Sequence, residues 1–540
     1  MEEPQSGEAF RRRRQRRETL RVLLEVAALT TLAVLVLTVL GFVLTAGKGS
    51  SAPPPGTLVV SQPQDFRTID PALATEREAW ELEYAACAKL MNYPAKGRPD
   101  GTRLEPEVAA GPPHLSDDGR TYTFRIADGW KFSNGEAVTP RAFVRAFERA
   151  RAPGLVSPAE PYLREVSSWR ADGDALTIRL ERRAPDFLQR LALPYFCAVP
   201  PETPATPVDA IPSAGPFYVK RHARNRSLVL ERNPYYPGSR RPHIEKIVYR
   251  FGAFASQIGL QLARGEADYG IVPPSVFESL ASHGDDKNMF TVPQPIVGYL
   301  ALNTQRPLFA DNAPLRRAVN YALDRPALAR AFGYRGAKPT DQYLPPGFPG
   351  YRDAKLYPLG GPDVAAARRL AKGHLRGGKV VYLACPSSDC RDRAVIVAQN
   401  LEEIGLDVEI RAGYGQYALA GVKGTGFDIA DVVTRPDYAD PYGLVEKLLD
   451  GRTIRTIGNT NLSYYVDPRF SHALDQAQRL HGEARIRAYE RLDVEVARTS
   501  APLAAYANVA ARVFLAQRVS CVTYQPVYGI DIAGLCLGQD

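Results

Sequence analysis

The stretch "KVVYLACPSSDCRDRAVIVAQNLEEIGLDVEIRA", Lys379 to Ala412, decides the fold class. "KVVYLAC", "RDRAVIVAQNLEEIG" and "LDVEIRA" read in turn as strand, helix and strand, the βαβ unit of a parallel or mixed sheet. The chain is therefore expected to be α/β. Further out, apolar and polar residues alternate in strand-like fashion at 121–126, 175–181, 227–232 and 244–251, and helical periodicity runs through 314–332 and 483–500. From "TLVVSQ" onward roughly 480 residues remain, more than one core usually serves, so at least two lobes are expected. No internal repeat is present.

At the N-terminus "RRRRQRR", 11–17, precedes Val26–Leu44, nineteen residues without a charge. That length suffices to span a bilayer, and arginines on its near side are retained in the cytoplasm. The expectation is a cytoplasmic basic segment (1–21), one transmembrane anchor (22–46) and a Gly/Ser/Pro linker (47–56) holding an ectodomain outside the cell membrane. The apolar stretch exceeds the 7–15 residues usual in a removable signal, which favours an uncleaved anchor. No cysteine follows closely enough to carry a lipid.

Beyond residue 46 there are 61 basic and 54 acidic side chains, scattered rather than clustered, which argues against a nucleic-acid partner. All six cysteines, Cys87, Cys197, Cys385, Cys390, Cys521 and Cys536, fall on the exported side, where disulfides persist. "CPSSDC" suggests a short-loop bridge between Cys385 and Cys390, and Cys521 with Cys536 is the next most local pair. Cys87 and Cys197 remain for each other if they pair at all. The histidines are dispersed, with no pair at i, i+4, so neither a metal nor a cofactor is expected. No G-x-S-x-G, H-E-x-x-H or full phosphate-cradling G-x-x-x-x-G-K-S/T occurs, so nothing points to an enzyme.

Several stretches, in order and over nearly the whole ectodomain, resemble the extracellular solute-binding proteins of family 5, the peptide, nickel and oligosaccharide class serving ATP-binding-cassette (ABC) importers. They are "TIDPALA" (68–74), "LEPEVAAGPPHLSDDGRTYTFRIADGWKFSNGEAVTPRAFVRAFER" (104–149), "SAGPFYV" with "LERNPYY", "LALNTQRPLFADNAPLRRAVNYALDR", and "YVDPRFSHALDQAQR" with the helix after it. "SAGPF" departs from the family's usual G-T-G-P-Y, and Asn134 stands where an aspartate is usual. The resemblance implies a two-lobed periplasmic-binding-protein-like fold of type II that closes on its ligand like a hinged trap, without catalysis. It implies a first lobe at 57–272 with an extra subdomain at about 100–175, a second lobe at 273–506, and a return to the first at 507–540.

One further stretch bears on the ligand: "RPDYADPYG", Arg435–Gly443. Its prolines exclude a helix interior and bias Arg435 and Asp440 toward extended or turn backbone. By itself it reads as an acidic surface turn. It also resembles the D-Y-x-D-P segment of the family's peptide binders, whose first aspartate neutralises the ligand's α-amino group, and Asp437 matches that position. The resemblance makes Tyr438 a cavity wall, leaves Asp440 as a turn former, and adds Arg435, Thr75, Glu76 and Asn303 as ligand-binding candidates, although Asn303 at its strand end reads more simply as a structural residue satisfying local backbone groups. Pro436 removes one backbone donor beside the ligand. The implied partners are a peptide or other small solute, permease and ATPase subunits, and the membrane through the N-terminal helix. Alternatives are a metal chelate or oligosaccharide as ligand, or a sensory or scaffolding ectodomain without transport.

Overall fold

The computed structural model describes residues 53–270, 272, 274–282 and 289–538. The basic run, the apolar stretch and the linker as far as residue 52 lie outside the described residues. Among those described, no helix is long and apolar enough to cross a membrane. The elements that shape the cleft are, in chain order, β1 (Thr57–Gln62), α1 (Arg77–Ala86), β2 (Phe217–Ala223), β3 (Ser227–Arg232), β4 (Lys246–Phe251), β5 (Tyr269–Gly270) and β6 (Met289–Leu302). After these come α2 (Ala313–Ala322), α3 (Arg325–Arg330), β7 (Lys379–Ala384), α4 (Ser388–Glu402), β8 (Asp407–Ala412), β9 (Ile429–Thr434), α5 (Pro441–Leu449), α6 (Gly482–Thr499) and β10 (Leu503–Leu515).

The βαβ reading holds residue for residue: β7 and β8 pair in parallel from Lys379↔Asp407 to Ala384↔Ala412, with α4 between them. The helical stretch 314–332 is instead two helices, because Pro326 would remove a hydrogen bond and clash inside a continuous one. The chain turns at Leu323, the Asp324 carboxylate accepts from the Ala327 N–H at 2.9 Å, and Pro326 falls in the first turn of α3, where its missing donor costs nothing.

Among the described residues the largest sheet has eleven strands in the order β8-β7-β9-β6-β10-β5-β1-β4-β3-β2, with Ala337–Pro339 paired to β10 off that path. β6 and β10, 14 and 13 residues long, pair antiparallel and belong to both ends of the sheet. One lobe is built on β1 to β5 and the other on β7 to β9, so the two lobes share this ribbon. A separate four-stranded sheet, His114–Leu115, Thr121–Arg125, Ala175–Leu180 and Val166–Asp172, is inserted in the first lobe.

The ribbon is irregular midway. Its register slips between Pro293 and Ile296 and again between Gly298 and Tyr299. At the first slip the Asn508 amide donates to the Gln294 and Ile296 carbonyls, each at 2.8 Å, supplying donors the interrupted ladder lacks. At the second, a side chain on Gly298 would come within 2.7 Å of the Tyr506 ring. From Val297 onward, Val297, Tyr299 and Ala301 pack into the core that reaches the first lobe, while Leu300 and Leu302 face the core under α2 and α4. That is the period-two alternation of a strand buried on both faces.

All six cysteines are paired, and the structure closes the choice left open for Cys87. Cys87–Cys197 joins the C-terminal end of α1 to the segment after Pro194–Phe196, with 5.6 Å between Cα atoms. Cys385–Cys390 and Cys521–Cys536 span 5.5 and 5.3 Å. By loop-closure entropy the 110-residue separation of the first bridge should contribute about 5 kcal/mol, and the 5-residue separation of the second about 2. Urea unfolding of C87A/C197A and C385A/C390A should reproduce that order. Equal losses would show that loop length does not govern them.

Candidate functional site

Pro436 has no N–H to carry the ladder further, so pairing of β9 with β6 ends at Thr434↔Val297 and "RPDYADPYG" leaves the sheet where the lobes meet. The stretch ends by starting α5: Pro441 takes the first helical position, and the Asp440 carboxylate accepts from the Tyr442 N–H at 2.9 Å. Arg485 of α6 grips both oxygens of Asp440, at 2.5 and 2.8 Å, in a nearly solvent-free pair. Asp440 is thereby wholly used in holding the turn.

The two residues before it reach the other lobe. The Tyr438 hydroxyl donates to Asp186 at 2.7 Å, and the Ala439 N–H donates to the Tyr93 hydroxyl at 3.0 Å. Asp186 holds Arg190 through both oxygens at 2.9 Å, and Arg190 reaches Glu165 at 2.5 Å. Glu165 accepts from Arg164 at 2.8 Å, and Arg164 crosses back to Glu446 of α5 at 2.8 Å. Burial opposes ionisation of Glu165, but the Arg190 and Arg164 guanidiniums outweigh it and hold the carboxyl down at about 2. Burial, reinforced by the Asp186 charge, pushes the Tyr438 hydroxyl well above its usual range, so it remains a donor.

Asp437 lies inside this frame. It faces a cavity of about 260 Å³ bordered by Tyr162, Arg164, Arg190, Tyr438 and Lys447. The Lys447 ammonium stands 3.5 Å from its carboxylate, and each of the two side chains is 29% exposed, a long and replaceable contact beside the 2.5 Å pair at Asp440. Tyr162 stacks on Tyr195 at 5.9 Å and meets Tyr438 edge-on at 6.3 Å, so aromatic rings line the cavity beside Asp437. Burial and the Asp437 charge both keep the Tyr162 hydroxyl protonated.

The other candidates are placed differently. The Arg435 guanidinium lies 5.0 Å from the centre of the Trp80 ring, on α1 of the first lobe. Thr75 is exposed and Glu76 pairs with Arg67 at 3.3 Å, and neither borders the cavity. Asn303 is buried, with its amide donating to the Phe427 carbonyl at 3.1 Å and its oxygen accepting from the Gln305 N–H, so its polar atoms shape a turn. The structure adds Trp80, Tyr162, Glu165, Asp186 and Arg190, each over 240 residues from "RPDYADPYG". Only Asp186 and Arg190 carry a local signal, an i, i+4 ion pair, and that spacing is common on solvated faces. Glu83, Cys87 and Cys197 gather closely enough for a metal, but the two sulfurs are bonded to each other and offer no thiolate.

Residues 103–455 match the family model described as bacterial extracellular solute-binding proteins, family 5 Middle. The chain is 26% identical over 447 residues to the probable D,D-dipeptide-binding periplasmic protein DdpA of Escherichia coli, covering 79% of this chain and 85% of that one. It is 24% identical over 447 residues to the oligopeptide-binding protein OppA of Bacillus subtilis, covering 76% and 80%. Among solved structures, clavulanic acid biosynthesis oligopeptide binding protein 2 superposes with a TM-score of 0.77 at 25% identity, covering 89% of this chain and 95% of that one.

If the Tyr438 contact helps hold the lobes together, Tyr438→Phe should remove a hydrogen bond to a charged group, about 1.5–3 kcal/mol. Small-angle X-ray scattering of the variant should then give a larger radius of gyration than wild type. An unchanged profile would show that other contacts suffice.

Proposed function

Because the chain belongs to family 5 of the bacterial extracellular solute-binding proteins, we propose that it captures peptide-like solutes and delivers them to an ABC importer of two permease and two ATPase subunits. The lobes close over the solute and bury it, and no bond is made or broken. The observation that carries this reading is Asp437, a half-exposed carboxylate on the cavity at the lobe interface, in a D-Y-x-D-P segment and only loosely paired with Lys447. An ammonium removed from water needs such a partner. A peptide α-amino group supplies one and would displace Lys447.

The aromatic rings of Tyr162 and Tyr438 on the cavity, Tyr162 backed by buried Tyr195, suit the side chain or backbone of such a ligand without selecting one sequence. The stretch 22–46 would tether the protein to the membrane with its bulk outside, a reading supported by the arginines before it. Tethering would keep the solute-loaded protein within reach of a permease.

The test begins with mass spectrometry of the solute that co-purifies with the full-length protein. Titration calorimetry then compares wild type, Asp437→Ala and Asp440→Ala with that solute and its N-acetylated form. Removing one partner of a desolvated charge pair costs about 2–5 kcal/mol, so Asp437→Ala should weaken binding about a hundredfold and wild type should reject the acetylated form. Asp440→Ala should instead lower the melting temperature, because it strands Arg485. Equal affinity of Asp437→Ala and wild type would remove the amine reading.

A further inference from the structure

The bridge Cys385–Cys390 differs from the other two in what surrounds its sulfurs. "CPSSDC" leaves the end of β7 and enters α4, so that Cys390 is the third residue of the helix. Cys390 is 3% exposed, and its sulfur accepts from the Arg393 Nη2 at 2.9 Å, about one turn further along α4. Cys385 is half-buried at the edge of a turn whose Ser387 and Ser388 are exposed, and the Ser387 hydroxyl donates to its sulfur at 3.3 Å. Among the described residues, the sulfurs of the other two bridges receive no such hydrogen bond.

Each of these features favours opening of this bridge by an outside thiol. Attack needs one sulfur within reach, and Cys385 supplies it. The sulfur that leaves must carry a negative charge, and a helix N-terminus and an adjacent cation both lower the cost of a thiolate. Cys390 has both, since the Ser387 side chain does not cap α4 and Arg393 already donates to the sulfur. Asp389 and Asp431 share the same guanidinium, at 2.9 and 3.0 Å, and oppose a further negative charge, but they also hold the buried Arg393 in place against Cys390. The bridge spans 5 residues against 15 and 110 for the others, so its opening costs the fold least in loop-closure entropy.

We propose that Cys385–Cys390 is a thiol–disulfide exchange site that takes a dithiol as its reductant, with Cys385 the sulfur attacked and Cys390 the sulfur released. This activity is separate from solute capture, because none of its residues borders the Asp437 cavity. A thiolate of the dithiol bonds to the Cys385 Sγ, the bond to Cys390 breaks, and its electron pair stays on Cys390 as a thiolate beside Arg393. The second thiol of the dithiol then loses its proton and attacks the dithiol's own sulfur in the mixed disulfide. Cys385 is released beside the Ser387 hydroxyl, and the dithiol departs as a cyclic disulfide, having passed two electrons to the protein. Of the two protons it gives up, one goes to Cys385 and the other to water while Cys390 stays ionised.

The experiment treats oxidised full-length protein with dithiothreitol at neutral pH without oxygen. Samples quenched in acid are unfolded and alkylated, and peptide mapping reads each cysteine over time. Exposure alone would favour Cys521–Cys536, because Cys521 is exposed and Cys536 half-buried. An exchange site requires instead that Cys385–Cys390 open about tenfold faster than either other bridge, with the melting transition kept. A brief pulse of the monothiol mercaptoethanol should leave its adduct on Cys385. R393K, shown to be folded by its melting curve, should lose most of the rate advantage, because an ammonium lacks the planar fork that holds both acids and still reaches the sulfur. Cys521–Cys536 opening first or at the same rate, the adduct on Cys390, or the full advantage surviving in folded R393K would overturn the assignment. The wild-type rates and the adduct position decide it even where R393K fails to fold.

Discussion

The antiparallel pairing of β6 with β10 is the constraint from which the rest follows. Pairing from Met289↔Phe514 to Ala301↔Leu503 commits both lobes to one sheet, so neither can move without bending this ribbon. A regular ladder in mid-sheet would resist bending. Two register slips, with Asn508 supplying the missing donors, concentrate the irregularity in a few residues while leaving the backbone satisfied. Any bending of the ribbon would fall on these few residues and not on the regular pairing to either side of them.

A hinge works only if the surfaces it brings together can also part. Beside the apolar core that the lobes share, polar contacts cross between them: Tyr438 to Asp186, Ala439 to Tyr93, and Arg164 to Glu446. A purely apolar interface would expose its whole area to water on opening and would hold the cleft shut. Ion pairs and hydrogen bonds can exchange partners with water at small net cost. The internal chain of Asp186, Arg190 and Glu165 keeps the first lobe's side of that contact rigid.

Charge is distributed unevenly along the cleft. Asp437 meets Lys447 loosely at one place, while Arg77, Arg98 and Arg435 have, among the described residues, no ion-paired acid. Carboxylates held as Asp440 is by Arg485 and Asp70 by Arg149, the latter pair linking the loop before α1 to the helix Pro140–Ala150, have no capacity left for a ligand. The contrast separates groups that build the protein from groups that can meet a solute.

Patterns confined to short stretches were legible in the sequence. The βαβ unit at 379–412 follows from local periodicity, and the two short-range disulfides follow from cysteine spacing, because neighbouring residues alone decide them. The resemblance of ordered motifs carried the family, and with it the two-lobed α/β architecture. Tertiary structure alone decided that Cys87 meets Cys197 and that Trp80 lies under Arg435. It also decided which charges are satisfied: Asp437 and Asp440 sit three residues apart in one acidic turn, and only folding brings Arg485 to one and leaves the other facing a cavity. The physical reason is that an ionic group's role depends on what crowds it in space, whereas a sequence records only its neighbours along the chain.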